Sequence, residues 1–113
     1  MKVFTSIEQS KKLAEILPLE SADMYWWYNG QKYYVETIDH NDFQKSDIFA
    51  WSLAALLEVF ECPTLTQDKI GDGKTGWMVS AYPNGCRYDS NWYDNPIDAC
   101  VEMIIKLHEL KML

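Results

Sequence analysis

Apolar residues along this chain follow two rhythms, and the switches between them mark its elements. Ile7, Ser10, Leu13, Ala14 and Leu17 recur at helical spacing, with Lys11, Lys12 and Glu15 on the opposite side. That pattern predicts a helix of about three turns with one wet face. Thr5-Ser6-Ile7-Glu8 fits a capping box, the Thr5 hydroxyl accepting from the Glu8 amide and the Glu8 carboxylate reaching back. Pro18 disfavours helical backbone at Leu17 and ends the segment.

From Met24 to Val35 the rhythm changes to two. Asn29-Gly30 between aromatic, β-branched-rich runs is a hairpin signal, because both central positions of a type I′ turn need positive φ. A two-residue Asn29-Gly30 loop sets Tyr28 against Gln31, Trp26 against Tyr33 and Met24 against Val35 on the more apolar face. Tyr25, Trp27, Lys32, Tyr34 and Glu36 share the other, amphipathic face. Thr37 to Ser46 is a polar connection. From Asp47 to Glu61 apolar residues run almost all round a helix, which predicts burial on most sides, or partly against another chain.

Beyond Pro63 the pattern predicts three strands. Leu65 to Ile70 reads as an edge, then Gly71-Asp72-Gly73-Lys74 turns into a second strand from Gly76 to Tyr82. Pro83-Asn84-Gly85 turns again, into Cys86 to Asp89. With Asn84-Gly85 as the loop, Trp77, Val79, Ala81, Cys86 and Tyr88 point inward, while Met78, Ser80, Tyr82, Arg87 and Asp89 point out; a three-residue loop would shift the pairing. The last helix has the clearest start. Asn95 suits the cap, Pro96 the first turn, and Asp98 the positive helix end. Ile97, Cys100, Val101, Ile104 and Leu107 form its buried stripe, and Glu102 and Lys106 are spaced as an i,i+4 pair. These elements predict one α+β domain over residues 1–113, an antiparallel sheet with packed helices, in the order α-β-β-α-β-β-β-α.

Composition narrows the functional classes. Apolar residues make up 48% and aromatics 14% of 113 residues, enough for a real core. The net charge of −7 opposes phosphate backbones, and no nucleic-acid partner is expected. The run from Asp47 onward has the element order of double-stranded-RNA-binding domains, but its last helix starts acidic rather than basic. No signal-peptide run or membrane-length apolar segment occurs, so the expectation is a cytoplasmic protein with no membrane contact. Cys62, Cys86 and Cys100 lack metal or redox spacing and read as reduced thiols buried as small apolar groups.

Candidate chemistry is sparse. Glu36, Asp39, His40 and Asp42 form the densest set of possible metal ligands or acid–base groups, within a stretch that a solvated connection also explains. A small metal-dependent hydrolase is the enzymatic reading of that loop; no phosphate loop, dinucleotide fingerprint or H-E-x-x-H supports an enzyme, and no cofactor is implied. Tyr25, Trp27, Lys32 and Tyr34 are the best binding candidates. They can present rings to a partner protein or stack on a sugar or base, unless helices cover both faces of the hairpin; a protein partner or self-association is the expectation for the chain.

Three stretches, Thr5 to Pro18, Trp51 to Phe60 and Asp94 to Leu110, resemble a group of small proteins carried by prophages and mobile elements of gut bacteria. That resemblance implies an accessory, intracellular protein and carries no activity with it. Gly76-Trp77-Met78-Val79, Pro83, Gly85-Cys86 and Asn95 to Ala99 are similar to the strand–strand–helix ending of HicB-type antitoxins, with a turn one residue shorter. This second resemblance covers about a third of the chain and implies a module that neutralises a small ribonuclease by protein–protein contact. That family often carries a DNA-binding tail; none is visible after Leu113, so the DNA-regulating half of the family's role is not expected of this sequence. Taken together, the residues predict a non-enzymatic accessory protein acting through protein–protein contact.

Overall fold

The computed structural model describes residues 2–38 and 48–113. Its elements are α1 (Ile7–Ala14), β1 (Met24–Tyr28), β2 (Tyr33–Thr37), β3 (Ile48–Ala50), α2 (Leu53–Glu58), β4 (Thr64–Lys69), β5 (Thr75–Ala81), β6 (Tyr88–Asp89) and α3 (Pro96–Glu109). The α+β class and the expected order hold, with β3 added before α2. The strands form two antiparallel three-stranded sheets, ordered β2-β1-β3 and β4-β5-β6.

The first helix starts one residue later than its capping signal suggested. Ser6 is the cap, its hydroxyl accepting from the Gln9 amide while the Gln9 side chain accepts from the Ser6 amide. Thr5 is unavailable because tertiary structure uses it. Its hydroxyl accepts from the Trp51 amide at 3.1 Å and lies 2.8 Å from the Ser10 hydroxyl, with all three residues fully buried. The Thr5 amide donates to the Trp51 carbonyl at 3.0 Å, so the N-terminal segment is stitched to the start of α2.

The first hairpin turns at Gly30-Gln31, not at Asn29-Gly30. Asn29 stays outside the tip because its side-chain oxygen accepts from the amides of Gln31 and Lys32. Gly30 then takes φ 100° at the first central position, where a type II′ turn places glycine. Tyr28 therefore pairs with Tyr33, Trp26 with Val35 and Met24 with Thr37. A shift of two residues preserves which side chains share a face.

The apolar run expected as one helix is, from Ile48, first a strand. Ile48–Ala50 pairs with β1, and Ser52 breaks the run by capping α2 through the Ala55 amide. Asp23 holds that junction, accepting from both the amide and the hydroxyl of Ser52. Short apolar runs bury equally well as strands or helices, which is why periodicity merged the two.

In the second sheet Asn84 (φ 55°) and Gly85 (φ 82°) make the two-residue turn, with the Cys86 amide donating to the Pro83 carbonyl. Ala81 faces Tyr88 and Ser80 faces Asp89, the register expected for that loop. Val79 and Ala81 are buried inward. Two expectations are corrected. Ser80 is buried, because its hydroxyl donates to the Asp89 carboxylate at 2.6 Å. Cys86 is exposed, because pairing stops at Tyr88; Cys62 is exposed as well, so only Cys100 is a buried thiol, with its pKa pushed up to about 12 by burial.

The outer side of β5 continues past β6. Ser90 bonds Val79 through both amide and hydroxyl, and Tyr93 exchanges two backbone bonds with Trp77. Asn91 and Trp92 bulge between these contacts. Glu102 of α3 clamps the bulge, accepting from the Asn91 amide and side chain at 2.8 and 2.7 Å. It does not pair with Lys106, which donates to the Asp89 carbonyl instead. Asn95 caps α3 as expected, and Ile97, Cys100, Val101, Ile104 and Leu107 are all buried. Ala99 and Met103 join them, and the core also draws on Leu13, Trp51, Leu56 and Val79. Among the described residues no helix is long and apolar enough to cross a membrane.

Candidate interaction surface on the first hairpin

Sheet β2-β1-β3 positions the candidate residues. At its base Trp26 meets Phe4 edge-on, with ring centroids 5.5 Å apart, and gives its indole N–H to the Thr5 carbonyl at 3.1 Å. These contacts fix the hairpin to the stitched N-terminal segment. Toward the tip the supporting contacts end, and Tyr28, Tyr33 and Tyr34 are 56%, 45% and 36% exposed.

Trp27 and Tyr34 are cross-strand partners on the amphipathic face. Their rings stack at 5.1 Å with an interplanar angle of 28°. Lys32 places Nζ 4.9 Å from the Tyr34 centroid, a cation–π contact worth about 0.5–1 kcal/mol at an exposed site. Tyr25, one pair further in, gives its hydroxyl hydrogen to Glu36 at 3.1 Å. The structure therefore brings Tyr25, Trp27, Lys32, Tyr34 and Glu36 onto one face, in the row Lys32, Tyr34–Trp27, Tyr25–Glu36. The Trp27 indole N–H is shielded from solvent and has no acceptor among the described residues.

Sequence reasoning missed the second ring pair. Tyr28 and Tyr33 lie opposite each other on the face shared with Trp26, their centroids 5.0 Å apart. Alternation placed them with Trp26 on the more apolar face, yet both rings are exposed. Of the possible metal ligands, Glu36 is exposed on β2, whereas Asp39, His40 and Asp42 lie outside the described residues. Among the described residues no group of three or more His, Cys, Asp or Glu side chains is placed to hold a metal ion.

Concave regions also lie elsewhere among the described residues. An open groove of about 710 Å³ runs between α1 and α3 past Lys2, Gln9, Tyr93 and Asp98. Its Asp98 carboxylate is already engaged by Lys2 at 3.0 Å, Gln9 at 2.7 Å and Asn95 at 2.8 Å. Burial pushes the Asp98 pKa up, but these donors outweigh it and hold the carboxyl below the usual range. A smaller apolar recess of about 410 Å³ is lined by Leu17, Pro18, Ala55, Val59 and Leu113. Comparison with protein-family models, curated proteins and solved structures returns no match to this chain.

Proposed function

We propose that this protein is a non-enzymatic accessory protein acting by protein–protein contact through the tip and amphipathic face of the first hairpin. One observation carries the reading. A stacked Trp27–Tyr34 pair with Lys32 over it stands beside the exposed Tyr28 and Tyr33 at the tip of the first hairpin. Rigid aromatic rings with a cation alongside are the side chains that anchor protein interfaces, because they bury large area at little entropic cost. The resemblance to mobile-element proteins fits an intracellular accessory role, in the cytoplasm, and the reading involves no nucleic acid, membrane or cofactor.

The test replaces Tyr25, Trp27 and Tyr34 together with Ser, Gln and Ser. The tagged variant and wild type are expressed in the native host, and co-purifying proteins are compared by quantitative mass spectrometry. A variant that melts cooperatively yet loses its partner supports the assignment. Unchanged partner recovery by a folded variant rules the hairpin out as the contact surface.

A further inference from the structure

We propose that the outer edge of β2 pairs antiparallel with the same edge of a second copy of this chain, in the register that sets Lys32 opposite Glu36 of that copy. This deepens the hairpin reading by naming a partner for it, and it rests on that surface being accessible.

The backbone defines what the edge offers. Among the described residues β2 is the outermost strand of its sheet. The Asn29 amide donates to the Lys32 carbonyl, and the Ile38 amide to the Asp23 carbonyl. Because hydrogen-bonded and non-bonded pairs alternate along an antiparallel ladder, Lys32, Tyr34, Glu36 and Ile38 turn their backbone groups toward β1. Tyr33, Val35 and Thr37 turn theirs outward, where no described residue pairs with them.

That parity leaves few registers for self-pairing. Outward-facing residues must meet outward-facing residues, so odd positions oppose odd positions and even positions oppose even ones. Centring the two-fold axis on Tyr34 sets Tyr33 opposite Val35 and Lys32 opposite Glu36, twice by symmetry. Shifting the partner by two residues either way leaves Lys32 opposite Tyr34 or Ile38. Larger shifts bring Lys32 against Lys32, or Glu36 against Glu36. Only one register matches both charges. Its Lys–Glu pairs fall at the non-hydrogen-bonded sites, where facing side chains are closest.

The aromatic row agrees with this register. Tyr34 would meet Tyr34 of the second copy across the axis, joining the two Trp27–Tyr34 stacks on one face. Lys32, already above its own Tyr34 ring, would gain a carboxylate in front of it. The long edge strand of the second sheet, β4, behaves differently. On β4 the Ile70 amide donates to the Lys74 carbonyl, which turns the backbone groups of Leu65, Gln67 and Lys69 outward. Asp68 and Lys69 are neighbours, so they lie on opposite faces and cannot oppose each other in any antiparallel self-pairing. Charge complementarity therefore favours β2 over β4.

A five-residue strand edge buries less than the roughly 1,200 Å² of a standard specific interface, so the dimer forms in the micromolar range or weaker. Sedimentation equilibrium on the full chain, from low micromolar to near-millimolar concentration, measures it. Lys32→Glu and Glu36→Lys are each expected to weaken the wild-type dimer about tenfold or more, since each turns two attractive pairs into repulsive ones. An equimolar mixture of the two variants should recover association, as should the Lys32→Glu/Glu36→Lys double variant; melting curves establish that each protein is folded. A wild type that stays monomeric overturns the pairing, as does a dimer indifferent to both single variants or a mixture that fails to recover. The two readings separate cleanly. A monomeric wild type whose partner capture still depends on the hairpin rings overturns self-pairing alone. A charge-dependent dimer whose partner capture ignores the rings supports self-pairing and overturns the wider contact reading.

Discussion

Replacing Thr5 with valine should be among the most damaging single changes in this protein, although it conserves shape. Thr5, Ser10 and Trp51 are fully buried, and the Thr5 hydroxyl is the acceptor for the Trp51 amide at 3.1 Å and the partner of the Ser10 hydroxyl at 2.8 Å. Valine fills the same space but accepts nothing. It leaves a buried N–H unsatisfied, at about 1–3 kcal/mol, and deprives the Ser10 hydroxyl of its partner as well. The expected loss is about 3 kcal/mol, a large fraction of a small domain's stability, with a fall in Tm of about 10 °C. Urea denaturation followed by tryptophan fluorescence measures it, with an unchanged m-value showing that stability alone has moved. Adding Ser10→Ala should cost less than the sum of the single changes, because both ends of one hydrogen bond are then gone. A Thr5→Val loss below about 0.5 kcal/mol would refute the stitch between the N-terminal segment and α2.

Other consequences are accessible to simple assays. Asp98 is held below its usual pKa by Asn95, Gln9 and Lys2 against the opposing effect of burial, and Asp89 by Ser80 and Arg87. Their contribution is present above the unfolded value of about 4 and is lost as pH falls through the lower folded values. Asp98→Asn should therefore flatten the acid limb of a Tm-against-pH curve and leave its alkaline limb unchanged. A thiol reagent should modify Cys62 and Cys86 in the native protein, while Cys100 reacts only on unfolding; native labelling of Cys100, read by peptide mapping, would contradict its burial. Asn84→Gly should be close to neutral, whereas Asn84→Ala should cost about 1 kcal/mol in thermal melts, because Asn84 sits at φ 55°.

Legibility from sequence followed how local the deciding interaction was. The start and buried stripe of α3 were readable because Asn95, Pro96 and Asp98 act within a single turn. The β5–β6 register was readable because Asn84-Gly85 carries its own conformational preference. In the first hairpin the side-chain faces were readable, but the tip was not, since the Asn29 side chain moved the turn by one residue. The cap of α1 shifted because a distant amide, that of Trp51, claimed the Thr5 hydroxyl. The strand β3 was hidden inside an apolar run that fits either element until Asp23 is seen to pin Ser52. At the candidate surface, the face shared by Tyr25, Trp27, Lys32 and Tyr34 followed from alternation alone. The exposure of Tyr28 and Tyr33 did not, because alternation says which side a ring faces and nothing about what lies there.

Among the described residues the two sheets share no strand. The first is tied to the rest at one end, through Phe4, Thr5, the packing of β3 on α1 and the junction at Ser52, whereas the second is bound along its length to α3 by core packing and by the Glu102 clamp. Opening of one need not open the other. Hydrogen exchange should divide accordingly, with amides of β1 and β2 exchanging through a local event and those of β5 and α3 only when the whole chain unfolds. A hairpin uncoupled in this way can accept changes in its rings and charges while α3 keeps the domain folded, so the surface and the scaffold are free to diverge at different rates.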